Sequence, residues 1–263
     1  MSDASTAQAS EREQRTAVYV YGIVTDDIEP APHARGIGDP PTAISVVRHG
    51  EIAALISEIP LDRPLGTPDD LTAHAQLLDG TAAVAPVLPL RFGGVVTDTE
   101  AVENELLAPN HDEFRSALAE LEGHAQFVIR GRYVEATILR EILDENADAA
   151  RLRAEIHDKP EDATRDARIA LGETVNRAIE AKRAEDTRRV VSALRELDPT
   201  VRERDPAHED DAFHLAVLLD LSRQEALMGV LTELGEEWEG RVRLDLLGPM
   251  ASYDFVTAHQ PSG

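Results

Sequence analysis

Histidines are the first residues to test for chemistry, and the nine in this chain are scattered: His33, His49, His74, His111, His124, His157, His208, His214 and His259. None stands in a His-x-His or His-Glu-x-x-His spacing, which would bring two imidazoles to one face for a metal. Only His208, Glu209, Asp210, Asp211 and His214 mix ligand types over a short span. Asp210 and Asp211 precede a strand, where acids more often form a solvated turn. A nucleotide site would want a glycine-rich turn between strand and helix. Gly36-Ile37-Gly38-Asp39-Pro40 lacks the third glycine and runs into proline, so it offers no helix N-terminus. Arg91-Phe92-Gly93-Gly94 follows a strand, yet Val95 and Val96 intervene and the P-loop lysine is missing, so the glycine pair reads as a chain reversal. No Gly-x-Ser-x-Gly occurs, and Ser57, Ser116, Ser192 and Ser252 have no glycine-flanked context for a nucleophile. The chain has no cysteine, which excludes disulfides, thiolate zinc and thiol catalysis. Catalytic, cofactor-binding and metal residues are therefore assigned to none of these positions.

Charge narrows the partners. Fifty acidic residues against 26 basic ones give a formal net charge of −24. Such a surface repels nucleic acid and anionic lipid, because neutralising phosphate needs clustered Lys and Arg. All of the basic residues except Lys159 and Lys182 are arginine, a bias that fits a GC-rich genome or a salt-adapted host equally. Apolar residues make up 42% of 263, enough to bury a core in one large or two modest domains. Met1 to Thr16 is polar and lacks the apolar stretch of a signal peptide, and no run nears the roughly 18 apolar residues of a membrane helix. A soluble cytoplasmic protein is expected, with no nucleic-acid or membrane partner and no cofactor.

The elements that would position any site follow from pattern. Residues 1–16 read as a disordered leader. Ala17 to Val24 is β-branched and aromatic, a strong strand. Prolines 30, 32, 40 and 41 make a loop, and strands Ile44–Arg48 and Ile52–Ile59 flank a turn at His49–Glu51. Thr67-Pro68-Asp69-Asp70 opens a helix to about Asp79, with an N-cap threonine and proline at the first position. Val84 to Phe92 is a strand interrupted by Pro86 and Pro89. Thr97-x-x-Glu100 is a capping-box pattern for a helix ended by Pro109, and Asn110 caps the next. Residues 17–123 thus form an N-terminal α+β domain.

Residues 124–257 are expected to form a second domain. A strand from Gln126 to Val134 leads to an amphipathic helix stopped at Pro160. One long helix, Glu161 to Leu197, follows, roughly 55 Å at about 1.5 Å per residue, making a helical hairpin over about 135–197. Strands Thr200–Arg204 and Ala212–Leu219, a helix opened by Ser222-x-x-Glu225 and a strand Arg241–Leu247 complete it. That is the ferredoxin-like order with its first helix expanded into the hairpin. A break at Gly248-Pro249 is expected, after which Tyr253 and Phe255 share one strand face; residues 258–263 form a tail. The fold class is α+β, an N-terminal α/β unit followed by a modified ferredoxin-like unit with an inserted hairpin.

Four stretches taken together are specific. Tyr19-Val-Tyr-Gly-Ile23, Ala73-His74-Ala75, Val87-Leu-Pro-Leu-Arg-Phe-Gly93 and Leu247-Gly-Pro-Met-Ala-Ser-Tyr-Asp-Phe-Val256 resemble the gas vesicle protein F/L family, in that family's order and over most of the chain. Where the family usually has Pro-Pro before the tyrosine, this chain has Ala251-Ser252. The resemblance implies two α+β domains, no enzymatic activity, and an accessory role in assembling gas vesicles, the hollow protein shells that give cells buoyancy. It also implies partners: the hydrophobic main shell protein and other gas vesicle accessory proteins. The candidate partner-binding residues are Arg91, Phe92, Pro249, Tyr253 and Phe255. Arg91 reads equally as a buried ion-pair anchor, and the two aromatics equally as core. A rival from another class is a ligand-binding regulatory or sensor protein, since ferredoxin-like sheets often bind metabolites.

Overall fold

The computed structural model describes residues 16–61 and 64–256, and shows an α+β protein with two antiparallel sheets. The expected leader and tail lie outside the described residues, except for Thr16. The described residues up to Gln126, together with those from Pro249 onward, form one compact unit, and Phe127–Gly248 form the second.

In the first unit the strand β1, Thr16–Thr25, buries both faces, as its unbroken run of large apolar residues demands of a central strand. It pairs antiparallel with β3, Ile52–Pro60, from Thr16↔Pro60 to Thr25↔Ile52, with a register shift between Val20 and Gly22. β2, Ser45–His49, forms a hairpin with β3. On its other side β1 pairs with the short strands β4, Val87–Pro89, and β5, Val95–Val96. The expected strand from Val84 to Phe92 thus shrinks to three residues, because its prolines cannot donate to a ladder. Gly22 makes the β4 pairing possible: an added Cβ would lie 2.7 Å from the Leu88 carbonyl and 2.9 Å from the Leu78 side chain.

Helix α1, Pro68–Ala82, starts as its sequence dictates. Thr67 and Asp70 exchange side-chain-to-backbone hydrogen bonds in a full capping box. α2, Thr99–Ala101, is capped by Asp98, whose side chain accepts from the Ala101 N–H at 2.8 Å, so the expected Thr97 cap is displaced by one residue. It continues as a wider π-helical turn over Val102–Leu107. Asn110 precedes α3, His111–Glu120, but its side chain donates back to the Leu106 carbonyl instead of capping.

The second unit contains β6 (His124–Tyr133, which begins in the first unit), α4 (Glu135–Glu145), α5 (Ala147–Ile156), α6 (Arg165–Ala193), β7 (Thr200–Glu203), β8 (Asp211–Asp220), α7 (Gln224–Glu237) and β9 (Val242–Met250, which ends in the first unit). The sheet order is β7-β8-β6-β9, the ferredoxin-like arrangement in which each strand–helix–strand crossover leaves room for another strand between. The hairpin's first arm is split: Asn146 accepts from the N–H groups of Asp148 and Ala149, ending α4 and capping α5. α6 has 29 residues, about 44 Å, shorter than expected because it starts only at Arg165 and ends at Ala193, before a separate tight turn over Arg195–Leu197. Its buried residues, Asp186, Thr187 and Val190, all lie in its C-terminal half.

Ion pairs, partly buried and centred on the buried Asp186, tie these helices to the strand ends. The Arg241 guanidinium contacts Asp186 at 3.0 Å and Glu141 at 2.8 Å. Tyr133 donates to Asp186 at 2.7 Å, and Lys182 pairs with both Glu141 and Glu145. The guanidinium also sits over the Tyr133 ring, 5.6 Å from its centroid. Together the paired carboxylates hold Arg241 protonated above its ordinary range, despite the opposing effect of burial.

Two expectations fail at the C-terminus. β9 does not break at Gly248-Pro249 but runs through to Met250, with Gly248 at φ +124°, an angle open to glycine. Beyond it the chain turns: the Phe255 and Val256 N–H groups both bond the Ser252 carbonyl, so Tyr253 and Phe255 share no strand face. The segment from Pro249 belongs with the first unit, not with the ferredoxin-like unit in which 124–257 had been grouped. Ala251 is fully buried in the first unit's core, which explains the assignment.

Candidate functional site

The stretches singled out in the sequence converge on one face of α1. Its buried stripe is Asp70, His74, Leu78 and Ala82, spaced four apart. The first two are polar, and each holds a different part of the backbone. Asp70 accepts from the Gly38 N–H through one oxygen and from the Gly66 and Thr67 N–H groups through the other, all at 3.2 Å. His74 Nδ1 lies 2.9 Å from the Tyr19 hydroxyl, which itself accepts from the Gly93 N–H at 3.1 Å. Which of the two atoms donates depends on the imidazole tautomer, and the buried Nε2 makes no hydrogen bond among the described residues. Burial pushes the His74 pKa down to about 4, so the ring is neutral at physiological pH.

Around this pair the rings pack edge to face. Tyr19 and Tyr21 lie 4.8 Å apart between centroids, Tyr19 and Phe92 5.7 Å, and His74 and Phe92 5.5 Å, while Tyr21 stacks on His74. The Tyr21 hydroxyl accepts from the Ile37 N–H and pairs with Ser57. The Val20 N–H bonds the Gly94 carbonyl, and the Leu90 N–H the Tyr21 carbonyl. The stretch Val87–Gly94 is thereby sewn along β1.

Asp79, also on α1, accepts from the Ala251 N–H at 3.0 Å and so captures the returning C-terminal segment. Burial raises its pKa, and the Ala251 bond works against that rise. Next to it, Gln126 grips Asp254 twice, donating to its carboxylate at 2.6 Å and accepting from its N–H at 3.0 Å. The Tyr253 hydroxyl is held protonated by burial, reinforced by the Asp79 and Tyr19 charges.

The five candidate contact residues all fall in this first unit. Arg91 is exposed, not a buried anchor, while Phe92 is half-buried against Tyr19 and His74. Pro249 and Phe255 are half-buried, and Tyr253 is 37% exposed. Sequence reading missed Asp70 and Asp79 as clasps; the only available signal was acid on the helix that also carries His74. The mixed cluster at His208–His214 is a loop clasp. Asp211 is fully buried, not solvated, and accepts from the Ala207 and His208 N–H groups, while the His214 ring faces Arg204 at 3.3 Å. Among the described residues no group of three or more His, Asp or Glu is arranged to hold a metal, and no helix is long and apolar enough to cross a membrane.

Fold and site together define an α+β protein of two units, one a sheet unit closed by the chain's C-terminal segment, the other ferredoxin-like. A family model described as "Gas vesicle synthesis protein GvpL/GvpF" matches residues 17–257. The chain belongs to this family, which gives it an accessory role in gas vesicles and an association with them. It is 29% identical over 244 residues to gas vesicle protein F of Streptomyces sp. (strain CB03234), covering 91% of this chain and 99% of that one. It is 23% identical to gas vesicle protein F of Nostoc sp. (strain PCC 7120 / SAG 25.82 / UTEX 2576), covering 92% and 98%. The crystal structure of the gas vesicle protein GvpF from Anabaena sp. PCC7120 superposes with a TM-score of 0.79 at 21% identity, over 93% of this chain and all of that one. The GvpF structure from Microcystis aeruginosa gives 0.69 at 20%, over 91% and 98%.

Proposed function

We propose that the chain acts in gas vesicle assembly without catalysis, by stoichiometric binding of the hydrophobic main shell protein and of other accessory proteins. One observation carries this reading: the buried polar groups of the first unit are spent on its own backbone and on one another. Tyr19, Tyr21 and His74 of the distinctive stretches do so, as do Asp70 and Asp79 on the same helix as His74. Among its exposed charged residues the first unit also leaves Leu61, Leu71, Val84, Val95 and Tyr253 open to solvent, on a chain of strongly negative charge. Apolar side chains outside and charge all round suit a protein that keeps a greasy subunit from aggregating. Arg91 and Tyr253 are the contact residues this reading favours, being the most exposed of the five candidates.

Co-expression with the shell protein tests the reading. The shell protein is expected in the soluble fraction, co-purifying with this chain, and the double variant Arg91→Glu/Tyr253→Ala is expected to reduce the captured amount. Shell protein that stays insoluble with and without the chain would refute the binding claim.

A further inference from the structure

The first unit carries a cleft of about 520 Å³ on which none of the distinctive stretches bears. It lies between the end of β1, the β2–β3 turn, the loop after α1 and one side of α3. Its size is that of a small-ligand or peptide site. Ile52 and Leu118 form a floor at no more than 1% exposure, with the half-buried Ile28 beside them. On the rim stands Val84, 83% exposed, the most exposed large apolar side chain of the described residues.

The rim's charge is one-sided. Asp26, Asp27, Glu51 and Glu122 line it, all exposed, against a single cation, Arg115. Arg115 is already paired with Glu51 at 3.6 Å. Arg48, behind the same loop, is committed to Glu29 and to the Asp26 and Ile28 carbonyls. An apolar floor under a rim of surplus carboxylate selects an apolar side chain flanked by a cation. A second copy of this chain is a poor occupant, since at −24 it brings mainly more carboxylate.

We propose that this cleft is the docking site for a basic, apolar segment of the partner, with Val84 and the floor taking the apolar side chain and Asp26 and Glu122 the cation. The inference rests on the shell-binding reading above and adds where binding occurs and which part of the shell protein is bound: a stretch that pairs lysine or arginine with large apolar residues. Because the rim carboxylates are exposed, attraction is screened by salt.

The experiment uses the full chain and labelled overlapping peptides spanning the shell protein, read by fluorescence anisotropy. A cationic, apolar peptide is expected to bind, with affinity falling about tenfold or more in Asp26→Lys/Glu122→Lys and in Val84→Asp, and falling again between about 50 and 500 mM salt. A photo-crosslinking residue at position 84 is expected to capture the co-expressed shell protein, while one at Met228, exposed in the second unit, is not; this readout needs no loss of binding. Capture of the shell protein by the wild type, with unchanged affinity in both variants and no crosslink from position 84, would overturn the cleft and leave the shell-binding reading standing. Binding of only acidic or uncharged peptides would also overturn it. Failure of the wild type to retain any shell protein would remove both.

Discussion

The two units bury polar groups in opposite ways. In the first, uncharged or singly charged side chains of α1 each hold backbone N–H groups or a tyrosine: Asp70 on the Gly38 and Gly66 turns, His74 on Tyr19, Asp79 on Ala251. In the second, full charges face one another, with Arg241 between Asp186 and Glu141 and Lys182 beside them. A backbone clasp demands a particular residue at a particular place, because main-chain donors cannot be moved by substitution. A side-chain ion pair can be rebuilt from other residues of like charge. Asp211, which holds the Ala207 and His208 N–H groups, is the second unit's own clasp of the first kind.

The largest test breaks the ionic side. Arg241→Ala leaves Asp186, which is 6% exposed, without its cation and with the Tyr133 hydroxyl still donating to it, and losing one partner of a buried pair costs up to about 3–5 kcal/mol. Hydrogen exchange should show faster opening over residues 127–248, with β1 and β3 protected as before. The clasp side is probed by acid. His74 has a folded-state pKa of about 4 against an unfolded value of about 6.5. Between those values the unfolded chain binds the extra proton, so stability rises with pH and is lost as pH falls from about 6.5 towards 4, on the order of 3 kcal/mol in total. Asp79, shifted upward by burial, works in the opposite sense. Urea unfolding of His74→Leu is expected to give a flatter acid limb than wild type. A limb of equal slope would mean that the imidazole is not held neutral.

Smaller effects sharpen the contrast. Tyr19→Phe removes the acceptor for the Gly93 N–H and the hydrogen-bond partner of His74, a loss of about 1–3 kcal/mol for groups left unsatisfied. Exchange should then quicken at Phe92–Gly94 and leave α6 unaffected. Asn146→Ala removes the cap of α5 and is expected to cost about 1 kcal/mol, read as a lowered melting point. If Tyr19→Phe loosens the second unit as much as the first, the division into clasp and ion network is wrong.

Local chemistry was legible wherever the partner is near in sequence. The Thr67 cap with Pro68 after it, the strand at Ala17–Val24 and the ferredoxin-like order were all readable, since caps and alternation act over a few residues. Caps went astray where two candidates adjoin: Asp98 takes the place of Thr97, and Asp220 accepts from Ser222 where Ser222 was expected to cap. Gly248-Pro249 was readable as a bend at a sheet edge, but not as a strand that runs on to Met250. The links from Asp70 to Gly38, from His74 to Tyr19 and from Asp79 to Ala251 join residues far apart in the chain and left no signal in the sequence.

Composition, periodicity and a handful of ordered stretches therefore determined the class, the α+β elements and the family of this chain, because each depends on short-range preference or on residue identity. Only the folded molecule decided that residues 249–256 close the first unit, that α1 is the hub holding those stretches, and that an acid-rimmed apolar cleft opens beside Val84. Those outcomes depend on which distant groups meet, such as Asp79 and Ala251, 172 positions apart, and the geometry of such a meeting is set by the packing of the whole unit.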